Sequence, residues 1–235
     1  MRILVTAGAT QTPIDKVRAI TNIFRGKTGA RIAASFVGEG LNQVTLVTSM
    51  DPATLVSTIG EGPSLSMRKL FYRTYDELYD IMKKLITDGG YDVVIHSAAV
   101  SDYAVEGTYV RQNMKDGPVL NKIDSAGKVG SDHQELFLKL VPTVKIVDNI
   151  RKPWGFNGVL VKFKLQVGIT DAKLLEIAAR SRKQSQADII VANCLEWCTE
   201  RAYIINDATE LHISRANLAG ALKEAVEDAF GRKAH

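Results

Sequence analysis

The chain has 235 residues, enough for one large α/β domain or two small ones, and burial of roughly 70–75% of the unfolded surface means it needs no disulfide or metal staples. It is 46% apolar and 24% charged, with 30 Lys and Arg against 26 Asp and Glu. Those figures describe an ordinary soluble protein that suits an anionic small molecule. The net charge of +4 is too slight, unless concentrated on one face, to argue for nucleic acid.

Residues 2–7 (RILVTA) form a β-branched, apolar run stopped by Gly8, which predicts a buried central strand. Residues 9–15 read as a loop. The stretch 17–32 (VRAITNIFRGKTGARI) follows as a basic loop carrying Arg18, Asn22, Arg25 and Lys27, and it leads into a helix from about Gly26. Ile32, Ala33, Phe36 and Val37 share one face of that helix, and Gly38 and Gly40 end it. Residues 42–48 are a second strand. Strand, helix, strand is a βαβ unit and implies a right-handed crossover and a parallel sheet.

A third strand is expected over 67–73. Thr74 then caps a helix, with Glu77 completing a capping box, Leu78, Ile81, Met82, Leu85 and Ile86 on its apolar face, and Gly89 closing it. A fourth strand at 92–96 ends in Ser97-Ala98-Ala99-Val100-Ser101-Asp102-Tyr103, small residues that let a ligand approach the backbone at the carboxyl edge. Residues 104–141 break the alternation, and an excursion such as a β-arm, able to dock a second subunit, is expected there. A short helix near 143–151, a strand over 159–165, a helix capped by Thr170 or Asp171 and a strand at 188–193 complete the alternation. A hairpin of 202–205 with 211–213 and a last helix capped by Ser214, with Leu218, Leu222, Val226 and Phe230 on one face, close the chain. The fold class is therefore α/β, with an open, mostly parallel sheet flanked by helices, in a single domain over 1–235.

Known motifs mostly fail. Gly26-Lys27-Thr28 ends like a P-loop, but position 21 is Thr where the pattern needs Gly, and the first strand ended near Ala7. After that strand only Gly8 is glycine, so G-x-G-x-x-G is absent. Gly26 and Gly29 bracket a helix start, where free N–H groups favour an anion; equally, they could merely turn the chain, and spacing leaves both readings open. His96 reads as a core histidine rather than a base, and His133, His212 and His235 have no neighbours that make a catalytic pair. Cys194 and Cys198, with no second pair and no His at ligand spacing, read as idle thiols in a reducing cytosol, so no metal site is expected. No leader precedes the first strand and no apolar run approaches the ~18–20 residues of a membrane span, so a cytoplasmic protein is expected.

Several blocks in order carry a resemblance: Val5-Thr6-Ala7-Gly8-Ala9-Thr10, Pro13, Asp15, Val17-Arg18, Thr21-Asn22, Gly26-Lys27-Thr28-Gly29, Ala98 to Tyr103, Lys122-Ile123, Val161-Lys162-Phe163-Lys164, and Ala187-Asp188 through Ala192-Asn193. Over nearly its whole length the chain resembles the phosphopantothenoylcysteine synthetase family, in its stand-alone form. The resemblance implies a Rossmann-like sheet and a ligase of coenzyme A biosynthesis. In such a ligase CTP or ATP, with Mg²⁺, activates the carboxylate of 4′-phosphopantothenate as an acyl-nucleotide, and cysteine then attacks it. It implies a homodimer and a separate decarboxylase acting next, with no nucleic acid or membrane partner.

By the same resemblance Asn22 is the catalytic donor to the acyl oxygen. Arg18, Asn22, Ala98 and Ala99 contact phosphopantothenate, Arg18 in the neighbouring subunit. Gly8, Gly26, Gly29, Asp102, Lys122, Phe163 and Asn193 bind the nucleotide. Phe24-Arg25 stands where relatives carry hydroxyl residues. Ser181, Gln184 and Ser185 stand where relatives offer lysines to the triphosphate, with Arg182 and Lys183 as candidate substitutes. These departures leave the choice of CTP or ATP open. They also motivate an alternative, a non-catalytic relative that binds a nucleotide or acyl phosphate.

Overall fold

A computed structural model describes residues 1–38, 42–114 and 117–233. The first strand, β1 (Arg2–Ala7), is buried from Ile3 onward because both faces of the sheet are covered. A short hairpin, β2 (Gln11–Pro13) and β3 (Ala19–Thr21), leads to helix α1 (Lys27–Ser35). Then come β4 (Gln43–Thr48), α2 (Pro52–Ile59), α3 (Glu61–Leu65), β5 (Arg68–Phe71), α4 (Tyr75–Thr87) and β6 (Val93–His96). The arm follows as β7 (Tyr103–Met114), β8 (Gly117–Ile123) and β9 (Phe137–Pro142). The rest of the chain is α5 (Ile146–Ile150), β10 (Val159–Gln166), α6 (Asp171–Ser185), β11 (Ile189–Cys194), β12 (Arg201–Ile205), β13 (Glu210–Ser214) and α7 (Leu218–Lys233).

Eight strands form the central sheet in the order β13-β12-β11-β10-β6-β1-β4-β5. Its six strands from β11 to β5 are parallel, and β12 and β13 close it as an antiparallel hairpin. The order fits the expected Rossmann-like α/β class. Alternation along each strand splits the core. Ile3, Val5, Ile95 and Val161 face α1 and α7, while Leu4, Val94 and Leu160 face α4 and α5. Helix α6 adds Leu174 and Ala178 against Ile190 and Ala192 on the second face.

The local signals are largely realised. Thr74 Oγ1 accepts from the Glu77 N–H at 3.3 Å and Glu77 Oε2 accepts from the Thr74 N–H at 3.1 Å, which is the expected capping box. Thr170, rather than Asp171, caps α6, its hydroxyl accepting from the Lys173 N–H at 3.3 Å. Asp171 instead accepts from Tyr203 OH at 2.7 Å. Ser214 does not cap α7. It ends β13, and a turn through Arg215 separates it from the helix, whose Ala221 N–H reaches the Asn217 carbonyl. Gly40, expected to share the stop of α1, lies outside the described residues. Two features were not anticipated. Helices α2 and α3 occupy 52–59 and 61–65, with Asp51 capping α2 by accepting from the Thr54 N–H, and the expected loops at 9–15 and from 17 onward hold the β2–β3 pair.

The excursion is a separate three-stranded antiparallel sheet, ordered β8-β7-β9. Its root is the pairing of Tyr103 with Pro142, beside the end of the β6 loop.

Candidate functional site

The site begins where β1 and β6 end. From β1 the sheet grows one way through β4 and β5, and from β6 it grows the other way through β10 and β11. Such a reversal parts the loops that follow the two strands, and ligands of open α/β sheets bind in that crevice. Here the loops stay close enough to extend the sheet. The Ala99 N–H donates to the Gly8 carbonyl at 2.8 Å, the Thr10 N–H to the Ala99 carbonyl at 3.2 Å, and the Ser101 N–H to Thr10 Oγ1 at 2.8 Å. Thr6 ties the bases together, its hydroxyl accepting from the Ala98 N–H at 3.1 Å and its carbonyl accepting from Ser97 Oγ at 2.6 Å.

Onto this floor the β2–β3 segment folds back. Asn22 Nδ2 donates to the Ala99 carbonyl at 3.0 Å and Thr21 Oγ1 donates to the Thr10 carbonyl at 3.1 Å. Gly26, with φ +82°, then opens α1. A Cβ there would lie 2.4 Å from the Gly8 nitrogen, so backbone meets backbone. Gly29 is as constrained, since its Cβ would lie 2.9 Å from the Thr6 carbonyl oxygen and 2.8 Å from the Ala7 Cβ. Both glycines therefore serve packing, and through it they bring an uncapped helix N-terminus with no acidic residue in its first turn to the sheet edge. Phe163 packs beside α1 and α7, and the pleat puts Asn193 on the same face, two positions past Val191.

The opposite face of the same edge is different. A cavity of about 180 Å³ lies between β6, β10, α5 and α6, and His96, Ala98, Asp102, Lys145, Lys162, Lys164 and Ser181 are among the residues that line it. Lys162 is 7% exposed, and its Nζ donates to the Ser181 carbonyl at 3.2 Å. Burial pushes its amine down to about 8, with Asp148 opposing and Lys164 and Lys145 adding to the shift. His96 is 8% exposed, with Nδ1 2.9 Å from Thr6 Oγ1. Burial, aided by Lys162, pushes it down to about 4. It is neutral near pH 7, which agrees with a core histidine.

The structure gathers Gly8, Asn22, Gly26, Gly29, Ala98 and Ala99 at one point, puts Asn193 on the α1 face of the sheet, and sets Phe163 and Asp102 at the cavity. Two expected residues stand elsewhere. Arg18 forms an ion pair with Asp15, through Nε at 3.0 Å and Nη2 at 2.6 Å, and also donates to the Val129 carbonyl at 2.8 Å. The Asp15 carboxylate, side chain buried, also accepts N–H groups from Val17, Arg18 and Val129, and the Arg18 guanidinium foremost holds it well below the usual carboxylate range. Lys122 lies on β8 opposite Tyr109, six residues from the root of β7 and so about 20 Å along the arm.

Of the substitutes for missing lysines, Arg182 is ruled out by its setting. It is 8% exposed, pairs with Asp207, and donates to the carbonyls of Ala187 at 3.3 Å and Asp188 at 3.2 Å. Lys183 is exposed and does not line the cavity. The cations that do line it, Lys145, Lys162 and Lys164, were given no role from the sequence. The alternation in Val161-Lys162-Phe163-Lys164 was the available signal, since period-two lysines share a face opposite Phe163. Both cysteines are free, and among the described residues no cluster of three His, Cys, Asp or Glu could hold a metal ion.

Residues 1–227 match the family described as DNA/pantothenate metabolism flavoprotein C-terminal domain. Over 197 residues the chain is 33% identical to the coenzyme A biosynthesis bifunctional protein CoaBC of Thermococcus kodakarensis, covering 83% of this chain and 41% of that protein. It is 27% identical over 230 residues to the CoaBC of Methanocaldococcus jannaschii, covering 96% of this chain and 48% of that protein. The chain thus spans about half the length of these relatives. Among solved structures, the DNA/pantothenate metabolism flavoprotein from Streptococcus pneumoniae superposes with a TM-score of 0.78 at 29% identity, covering 97% of this chain and 99% of that one. The C-terminal domain of a CoaBC protein shares the fold, with a TM-score of 0.68 at 21% identity over 96% of this chain and 93% of that one.

Proposed function

The chain belongs to the phosphopantothenoylcysteine synthetase family, and from that premise we propose that it joins 4′-phosphopantothenate to cysteine in coenzyme A biosynthesis. In the first half-reaction a substrate carboxylate oxygen attacks the α-phosphorus of CTP or ATP, forming an acyl-nucleotide and releasing pyrophosphate. In the second, the cysteine amine attacks the acyl carbon, the acyl–oxygen bond to the nucleotide breaks, and an amide and a nucleoside monophosphate leave.

The observation that carries this reading is the Asn22 amide, held against the Ala99 carbonyl at the crevice between the β1 and β6 loops. An amide donates to a developing oxyanion without acting as a base, and a donor already oriented by the fold costs no reorganisation. On the α1 side the Gly8–Gly26 contact and the open helix N-terminus suit phosphate oxygens, Phe163 offers a surface for the nucleotide, and Asn193 a polar edge. Ala98 and Ala99, with no side chain beyond Cβ, admit the substrate to the loop backbone.

Mg²⁺ is commonly held by one or two carboxylates plus substrate phosphates, and the Asp102 carboxylate at the cavity fits that requirement; the ion would screen the triphosphate. Lys122 and Arg18 are read as contributing across a homodimer. Exposed Val119, Leu120 and Leu140 on the arm, with Val17 and Ile23 beside β3, supply apolar surface for such an interface. The product then requires a decarboxylase.

The alternative, a relative that binds a nucleotide or acyl phosphate without catalysis, is favoured by one feature: the hydroxyl pair of relatives is replaced by Phe24-Arg25, with Phe24 37% exposed. One assay separates the two. The protein is incubated with Mg²⁺, phosphopantothenate and CTP or ATP, and pyrophosphate is followed with and without cysteine. Release with one nucleotide, and amide only with cysteine, is expected. No release with either nucleotide rejects the ligase and leaves the binding protein.

A further inference from the structure

Helix α1 and the start of α7 close on a second, smaller cavity of about 80 Å³, where Arg31 and Arg215 meet Thr28, Ile32 and Leu218 and no acidic residue is among the lining. None of Gly8, Asn22, Gly26, Gly29, Ala98 and Ala99 lines it, so it is distinct from the crevice between the β1 and β6 loops. Arg215 belongs to the turn before α7, which is fixed by its own N–H donating to the Glu200 carbonyl at 2.7 Å. One terminal nitrogen of its guanidinium, Nη2, donates to Thr28 Oγ1. The other, Nη1, is buried and has no hydrogen-bond partner among the described residues. Arg31 is exposed, and among the described residues neither guanidinium forms an ion pair. Burial foremost, with Arg31 adding and Cys198 opposing, pushes Arg215 below its ordinary value. A guanidinium nevertheless keeps its proton in a protein, so only an acceptor can relieve a buried nitrogen of this kind.

We propose that the cavity between α1 and α7 binds one tetrahedral oxyanion of the inorganic phosphate or sulfate class, held by Arg215, Arg31 and the Thr28 hydroxyl. Arg215 Nη1 offers donors that nothing else takes up, Arg31 adds a second charged fork, and Thr28 Oγ1, having accepted from Nη2, keeps its own proton to donate. The size agrees. About 80 Å³ exceeds the roughly 10–15 Å³ that one water needs and falls well short of the roughly 300–1,000 Å³ of sites for organic ligands. Ile32 and Leu218, 1% and 2% exposed, give the cavity an apolar floor, which strengthens the attraction of a guanidinium for an anion. Helix α7 has no acidic residue in its first turn, so its dipole is not opposed there. A bound oxyanion would tie the two helices together and so steady α1, the helix that Gly26 and Gly29 set against the sheet edge. The inference does not rest on the ligase reading.

The test follows thermal unfolding of the full chain in rising sodium phosphate or sodium sulfate, with ionic strength held constant by sodium chloride. The samples are the wild type, Arg31→Ala, Arg215→Lys and an Arg232→Ala control, which removes one exposed charge from the last turn of α7. At a hundredfold excess over its dissociation constant, an anion bound only by the folded chain should raise the wild-type Tm by roughly 5–10 °C. The control is expected to respond alike, and Arg31→Ala and Arg215→Lys each to need at least tenfold more anion for the same shift. Arg31 is exposed, so Arg31→Ala decides the matter even if Arg215→Lys fails to fold. Absence of an anion-specific shift in the wild type overturns the site. An Arg31→Ala response equal to that of the wild type also overturns it, because the anion then binds elsewhere. A parallel titration with glycerol phosphate distinguishes a free ion from the end group of a phosphate ester. An Arg31-dependent response to either one supports the site.

Discussion

The two faces of one sheet edge are built from opposite materials. Toward α1 and α7 the edge is backbone: Gly8 against Gly26, Gly29 against β1, and a helix N-terminus without a side-chain cap. Toward α4, α5 and α6 it is side chains, with Lys145, Lys162, Lys164 and His96 around a cavity. The division follows from the pleat. In Val161-Lys162-Phe163-Lys164 consecutive residues alternate between faces, so one short motif sends two cations to the second face, while Phe163 packs on the first-face core and also reaches the rim of the cavity. A face made of backbone is fixed by sterics and does not titrate, whereas a face made of buried amines and an imidazole depends on pH and counter-ions.

The joint between the loops carries the largest expected effect. Asn22→Ala should lower amide formation by about a hundred- to a thousandfold, the cost of removing one preorganised oxyanion donor, while still releasing a burst of pyrophosphate. Rapid-quench measurement of both products checks it, and equal loss of the two half-reactions contradicts the role given to Asn22.

On the backbone face, Gly26→Ala places a methyl group 2.4 Å from the Gly8 nitrogen at φ +82°. Overpacking and left-handed strain together should destabilise the fold by roughly 2–5 kcal/mol, read from the urea midpoint. A variant as stable as wild type would show that the glycines are not a packing requirement.

The side-chain face should reveal itself through pH. An unfolded histidine takes a proton near 6.5, whereas native His96 resists until about 4. Its contribution is therefore complete above pH 6.5 and lost as pH falls from 6.5 to 4, up to about 3 kcal/mol at pH 4. Lys162 acts at the other end: its native amine loses its proton near 8 and its unfolded amine near 10.5, so stability should rise with pH between those values. Urea unfolding across pH checks both limbs, and His96→Gln should flatten the acid one. The smallest effect lies remote from either face. Thr74→Ala removes the cap of α4 and should cost about 1 kcal/mol with no change in ligand binding.

Much of the fold was legible because its signals are local. β1 announces itself by six residues of strand-forming character before Gly8, and α4 by its capping box and apolar stripe. The α2 cap was equally local, since Asp51 followed by Pro52 is a helix start, yet two short helices in 49–66 give too few periods to register. The β2–β3 hairpin was hidden because three-residue strands carry no pattern, and it depends on Asp15, whose carboxylate holds the turn through Val17, Arg18 and Val129. The setting of Arg18 was hidden for the same reason: its partner Asp15 lies three residues away, but the anchor at Val129 lies 111 away.

The parallel α/β alternation, the glycines that open α1 and the small-residue loop after β6 follow from propensity and spacing within a few residues. Tertiary structure decided which side of the sheet each site residue serves, that Arg182 is spent on Asp207 and nearby carbonyls, and that Lys145 joins Lys162 and Lys164 around one cavity. Those outcomes depend on the crossing of distant strands and helices, and no local periodicity encodes where α5 and α6 come to rest against β10.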